Sequence, residues 1–116
     1  MSDAPTEIRV TDKGRQLQLT YEDIGTITLS AEYLRVESPS AEVQGHTPKD
    51  KRLVPGKRDV AITGAEPVGT YAIKLIFSDG HSTGIFAWET FRMMHARHDE
   101  LWGAYLKNLA ERGLSR

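Results

Sequence analysis

The feature that most constrains this chain is "TYAIKLIFSDGHSTGIFAW", residues 70–88. Tyr71, Ile73, Leu75 and Phe77 recur at every second position, the period of a strand with one buried face. Asp79-Gly80 then offers a two-residue turn of the type whose central positions both take positive φ. Folded on that turn, Ser78 faces His81 and Leu75 faces Gly84, where the missing side chain admits a ring such as Phe86 or Trp88. A hairpin with one apolar face must bury it against another layer, and the rest of the chain has to supply that layer.

Two regions qualify. "QLQLTY" places Leu17, Leu19 and Tyr21 on one face, and "TITL" repeats the alternation after Asp23 and Gly25, which predicts a second hairpin over Leu17–Leu29. Near the other end, Trp88, Phe91, Met94, His98, Leu101, Trp102, Tyr105, Leu106 and Leu109 fall at three- and four-residue spacings. That stripe predicts amphipathic helices over about 88–97 and 99–112, with Asp99 capping the second and Gly113 closing it. Between these regions, Ser30 is an N-cap candidate for a short helical turn near 30–36, halted by Pro39. "DVAIT" reads as a strand and "GAEPVG" as the turn after it. Residues 44–58 read as a solvated loop, with five cations (Lys49, Lys51, Arg52, Lys57, Arg58) against Asp50. Strands come first and helices last, so the fold class is α+β with a largely antiparallel sheet built from hairpins.

The length of 116 residues suits one domain, expected over 7–116 after a disordered tail at 1–6. A formal charge of -1 carries no signature of a nucleic-acid or membrane binder, and the basic loop lacks the interleaved aromatics that stack bases. There is no cysteine, which excludes disulfides, thiolate nucleophiles and cysteine-held zinc or iron–sulfur centres within this chain. The start lacks the basic and apolar regions of a signal peptide, and no apolar run approaches the ~20 residues of a spanning helix; the expected location is cytoplasmic.

"YLRVESPSAEVQGH", residues 33–46, resembles a site: an arginine, two carboxylates, two serines and a histidine in one loop. The chemistry is incomplete when each scheme is tested. Ser38 and Ser40 belong to no G-x-S-x-G elbow, and nothing in the sequence orients a histidine on either hydroxyl. His95 and His98 are three apart without a third ligand at a recognisable spacing. His46 and His81 each follow a glycine and can share a pocket with Glu37, Glu42 or Asp79, but no H-x-D or H-x-E facial triad exists. Loop closure by hydrogen bonds is the simpler account of both histidines.

Three motifs in order, "LRVESPSAEVQGH", "EPVGTYAIKLIFSDGHSTGIFAW" and "ELWGAYL", resemble the gamma-butyrobetaine hydroxylase-like amino-terminal domain family, in particular its single-domain bacterial branch of unknown function. In the two-domain oxygenases of that family this domain precedes a 2-oxoglutarate and iron catalytic domain. It carries a zinc held by a C-x-C-x-x-C loop after an L-R pair and by a histidine after D-G. Carried over, those positions are Ser38, Ser40, Val43 and His81, so the zinc site is degenerate and no metal or other cofactor is expected. The resemblance implies that the loop still lies beside His81, with Ser38, Ser40, Glu42 and His81 hydrogen-bonded. It further implies a chain that is not an enzyme, since the catalytic domain is missing. The expectation is an accessory or protein-interaction domain whose partner handles iron or iron–sulfur clusters, with weak homodimerisation, and without nucleic-acid or membrane binding. The expected interaction surface is Arg35, Glu42, His46 and His81. The alternative is a small-ligand or metal-binding module using His46, His81 and nearby carboxylates.

Overall fold

The computed structural model describes residues 4–45 and 51–116. The first sheet comprises β1 (Glu7–Thr11), β2 (Gln16–Tyr21) and β3 (Gly25–Ser30), antiparallel in that order. In β2 and β3 the predicted alternation holds: Leu17, Leu19, Tyr21, Ile27 and Leu29 are buried, with Leu17 opposite Leu29 and Leu19 opposite Ile27. β1 is a strand that the short, charge-interrupted "EIRVT" did not announce, and Thr6, assigned to the tail, already bonds Thr20 through its amide and hydroxyl.

Ser30 ends β3 and caps α1 (Ala31–Val36), its hydroxyl accepting from the Tyr33 amide at 3.0 Å. A single turn, α2 (Ala41–Gln44), follows. The second sheet is β4 (Ile62–Val68), β5 (Ala72–Phe77) and β6 (Gly84–Ala87), again antiparallel in chain order. Here two expectations are corrected. "GAEPV" is strand rather than turn: β4 runs through it with a register shift between Ile62 and Gly64, and Pro67 is tolerated because β4 is an edge strand. The turn at Asp79-Gly80 has positive φ only at Gly80 (92°), with Gly80 N–H on Phe77 O and Phe77 N–H on His81 O. That is a three-residue loop closed by a glycine bulge, not a two-residue turn. Leu75 nevertheless stands opposite Gly84, as the spacing predicts. Ile73, Leu75 and Phe77 face inward, whereas Tyr71 precedes the strand and is exposed.

α3 (Trp88–Ala96) and α4 (His98–Glu111) complete the α+β fold close to the predicted bounds. Asp99 lies inside the first turn of α4 and does not cap it; the N-cap position is Arg97, with no side-chain capping bond. At the other end Gly113, at φ 66°, closes α4 through Gly113 N–H to Ala110 O and Leu114 N–H to Leu109 O. The inner faces of both sheets share one core with Tyr33 and Leu34 of α1 and Phe91 and Met94 of α3. Tyr33 donates its buried hydroxyl to Met94 O at 2.8 Å, tying α1 to α3; burial pushes that phenol well above its ordinary range. This packing aims the chain leaving α1 across the β5–β6 hairpin.

A buried serine–histidine–carboxylate cluster

Residues 37–44 cross the hairpin tip and are held there by side chains of both segments. His81 is the centre: its Nε2 lies 3.0 Å from Ser38 Oγ and its Nδ1 3.0 Å from Glu42 Oε2. An anionic acceptor at Nδ1 fixes the proton there, so neutral Nε2 accepts from the Ser38 hydroxyl. Ser38 Oγ in turn accepts from Ser40 N–H at 3.3 Å. Ser40 Oγ pairs with Thr83 Oγ1 at 2.6 Å and accepts from Glu42 N–H at 3.2 Å. Gln44 reaches back to the carbonyls of Ser38 (2.9 Å) and Glu37 (3.3 Å). The hydrogen-bond cluster expected of Ser38, Ser40, Glu42 and His81 is thus assembled. Burial pushes the His81 pKa below its ordinary value, and the charge of Arg35 adds to that, against Glu42.

Two members were not foreseen in these roles. A side chain at Gly84 would collide with Ser38 Oγ and crowd Phe86, so the glycine admits the serine hydroxyl more than the ring anticipated for it. Asp79 is the second: Oδ1 accepts from His81 N–H at 3.1 Å, and Oδ2 meets Arg35 Nε at 2.8 Å and Lys57 Nζ at 2.7 Å. Although burial opposes ionisation, Lys57, the His81 amide and Arg35 hold the Asp79 carboxyl down at about 2. Asp79 therefore links α1, the 57–58 segment and the hairpin tip. With Lys57 on Asp79 and Lys51 on Glu37 Oε1, two cations of the supposedly solvated loop are engaged in ion pairs. Lys49 lies outside the described residues.

The order hydroxyl, imidazole, carboxylate is that of a hydrolytic triad: His81 is oriented on Ser38, although no local motif announces it. The signal was a contact between residues 43 apart, which local spacing does not encode. Nucleophilic use needs an open face above the hydroxyl and a site for an oxyanion. Ser38 is 0% exposed, with the Gly84 backbone packed against its Oγ and Ser40 N–H directed at it. The relay works as a clamp. Nor does the donor set suit zinc: both hydroxyls are committed to hydrogen bonds, and Val43, 1% exposed, has no donor atom. Among the described residues no group of three or more metal-ligating side chains converges.

Of the four residues expected to form an interaction surface, Arg35, Glu42 and His81 fall in or beside this cluster. Arg35 and His81 point inward, with 12% of the Arg35 side chain exposed, and Arg35 Nη1 is a buried donor with no partner among the described residues. Glu42 is exposed while its carboxylate reaches His81. His46 lies outside the described residues. Of the other two histidines, His95 is exposed, and His98 lies edge-on to Tyr33 at 4.8 Å and beside Asp99.

These features define a class: a small α+β domain with two three-stranded sheets, in which the loop after α1 is clamped onto an Asp-Gly-His hairpin. The chain belongs to the gamma-butyrobetaine hydroxylase-like, N-terminal family, whose model matches residues 8–92. Two NMR solution structures are similar to it: one is 45% identical with a TM-score of 0.82, covering 97% of this chain and 89% of that one. The other is 42% identical with a TM-score of 0.81, covering 100% and 88%. A crystal structure from Acidithiobacillus ferrooxidans ATCC 23270, of a protein of unknown function in the DUF971 family, is 40% identical with a TM-score of 0.67 over 81% of this chain and 94% of that one. Among curated proteins none matches. Among the described residues, no helix is long and apolar enough to cross a membrane.

Proposed function

We propose that this chain is a non-enzymatic accessory domain that docks on a protein partner through the outer side of its clamped loop, and that the partner handles iron or iron–sulfur clusters. The observation that carries this reading is the inward direction of the cluster. The groups capable of chemistry, Ser38 and His81, are sealed at 0% and 6% exposure, and they hold a backbone segment whose outer edge displays Pro39 and Glu42. A loop fixed by buried polar bonds is preorganised, so binding through it costs little ordering entropy. The positions Ser38, Ser40, Val43 and His81 are the degenerate form of the zinc site that the family resemblance implies. Family membership supports a role beside other chemistry, because the family's model is that of a hydroxylase-like amino-terminal domain.

The test is capture from a native extract with the wild type, Glu42→Lys and His46→Ala. The expected outcome is a metal-containing partner retained by the wild type and lost or weakened in both variants. The same captured proteins for all three, or a partner set without iron proteins, overturns the reading.

A further inference from the structure

A concavity lies away from His81, where α1, the 51–54 segment and α4 meet. Its cavity is about 270 Å³, with a floor of Val36, Leu53, Leu101 and Tyr105. Packing and hydrogen bonds fix that floor. Val36 and Tyr105 are buried in a small cluster with Leu109, against which Leu53, Val54 and Trp102 pack. Tyr105 donates its hydroxyl to Val54 O at 2.7 Å, and Arg52 N–H donates to Val43 O at 2.7 Å, so the 52–54 backbone is pinned to both α2 and α4. Leu101, Tyr105 and Asn108 follow at helical spacing and present one face of α4 to the cavity, and Arg112 continues the row at the helix C-cap.

The rim is asymmetric in charge. Lys51 and Glu37 neutralise each other at 2.5 Å. Arg52 and Arg112 also line the cavity, and neither side chain has a partner among the described residues. Two guanidinium groups without a partner among the described residues and the Asn108 amide thus border an apolar floor. Guanidinium is the cation best shaped to take a carboxylate through paired N–H bonds. The volume is just below the ~300 Å³ at which drug-sized sites begin, so it suits a compact ligand.

We propose that this groove binds a small organic acid, a carboxylate on an aliphatic or aromatic body. Arg52 and Arg112 take the carboxylate, Asn108 adds a donor, and the body lies on Leu53, Leu101 and Tyr105. The groove adjoins the clamped loop through Glu37 and the Arg52–Val43 bond, but its ligand groups, Arg52, Asn108 and Arg112, are not those of the docking face, Pro39 and Glu42, so either reading can fail without the other.

The probe is hexanoate, titrated at constant ionic strength into the full chain and followed by amide NMR, with acetate and hexylamine as comparators. Hexanoate is expected to shift the amides of Leu53, Leu101, Tyr105 and Asn108 saturably, while neither comparator saturates. R52Q/R112Q is expected to weaken the response about tenfold, with the rest of the spectrum unchanged. A104W fills the groove from an exposed helix position, keeps both arginines, and is expected to abolish binding. Shifts scattered over the surface, an equal response to acetate or hexylamine, or unchanged affinity in R52Q/R112Q or A104W overturns the proposal.

Discussion

Ser38 Oγ and His81 Nε2 lie 3.0 Å apart across 43 residues of chain, and the α-carbon of Gly84 sits where any side chain would drive into that bond. Removing the hydroxyl leaves His81 Nε2 and Ser40 N–H without their partner in a buried setting. S38A is therefore expected to cost about 1–3 kcal/mol of stability. G84A in the wild type is expected to cost a similar ~1–3 kcal/mol through overpacking. In the S38A background the obstructing oxygen is gone, so G84A should become cheaper there by more than ~0.5 kcal/mol. Urea unfolding of the four proteins measures this; strictly additive losses would show that Gly84 is conserving something other than room for Ser38.

Protonation of His81 is the second test. Its folded pKa is depressed below 6.5 by burial and by Arg35, so the unfolded chain takes up this proton at a higher pH than the folded one. The contribution to stability is complete above about pH 6.5 and is lost as pH falls below it, until the folded histidine also titrates. H81Q keeps a side chain of similar reach without an ionisable group. Its stability is expected to be lower than the wild type at neutral pH, and the gap is expected to narrow on acidification. Parallel stability–pH curves from pH 7.5 to 5 would show that His81 takes no part in the linkage.

Asp79 carries a charge network whose loss is directional. D79N leaves the amide oxygen to accept from His81 N–H, but it leaves the Arg35 guanidinium, 12% exposed, without its counter-charge. Breaking one side of such a pair is expected to cost about 3 kcal/mol, more than replacing both partners by apolar groups. R35M/D79L should therefore lie closer to the wild type than D79N in thermal unfolding. The reverse order would place the stabilisation in the Lys57–Asp79 pair instead.

The legible parts of this structure were those that local rules dictate. Leu17, Leu19, Ile27 and Leu29 alternate because one face is buried, Ser30 caps because α1 has orphan amides, and Leu75 meets Gly84 because a tight turn fixes register. Errors arose where tertiary context overrode a local signal. Gly64 and Pro67 imitate a turn, yet an edge strand accommodates both. Asp79-Gly80 imitates a two-residue turn, yet the Asp79 carboxylate is drawn to the His81 amide, Arg35 and Lys57, and Asp79 keeps negative φ. The pairings Arg35–Asp79 and Lys57–Asp79 join segments with no common period, so no reading along the chain reveals them. The loop's proximity to His81 came instead from a family pattern, in which position carries over although chemistry does not.

If the loop path outlived its metal, the positions of Ser38, Ser40 and Val43 should still converge on His81 closely enough to coordinate. Ser38 Oγ already touches Nε2, the imidazole nitrogen not directed at Glu42, which is the arrangement a ligating histidine with an oriented ring would have. S38C/S40C/V43C would supply three thiolates around that nitrogen, a donor set that zinc favours. The expected result is one equivalent of zinc retained through dialysis, a melting temperature that rises with metal and falls with chelator, and tetrahedral thiolate absorption with cobalt. Adding H81Q to the triple variant is expected to weaken binding. If the triple variant folds and takes up no metal, the clamp has moved the loop off the coordination geometry, and hydrogen bonding in this chain is a different architecture rather than a substitution within an old one.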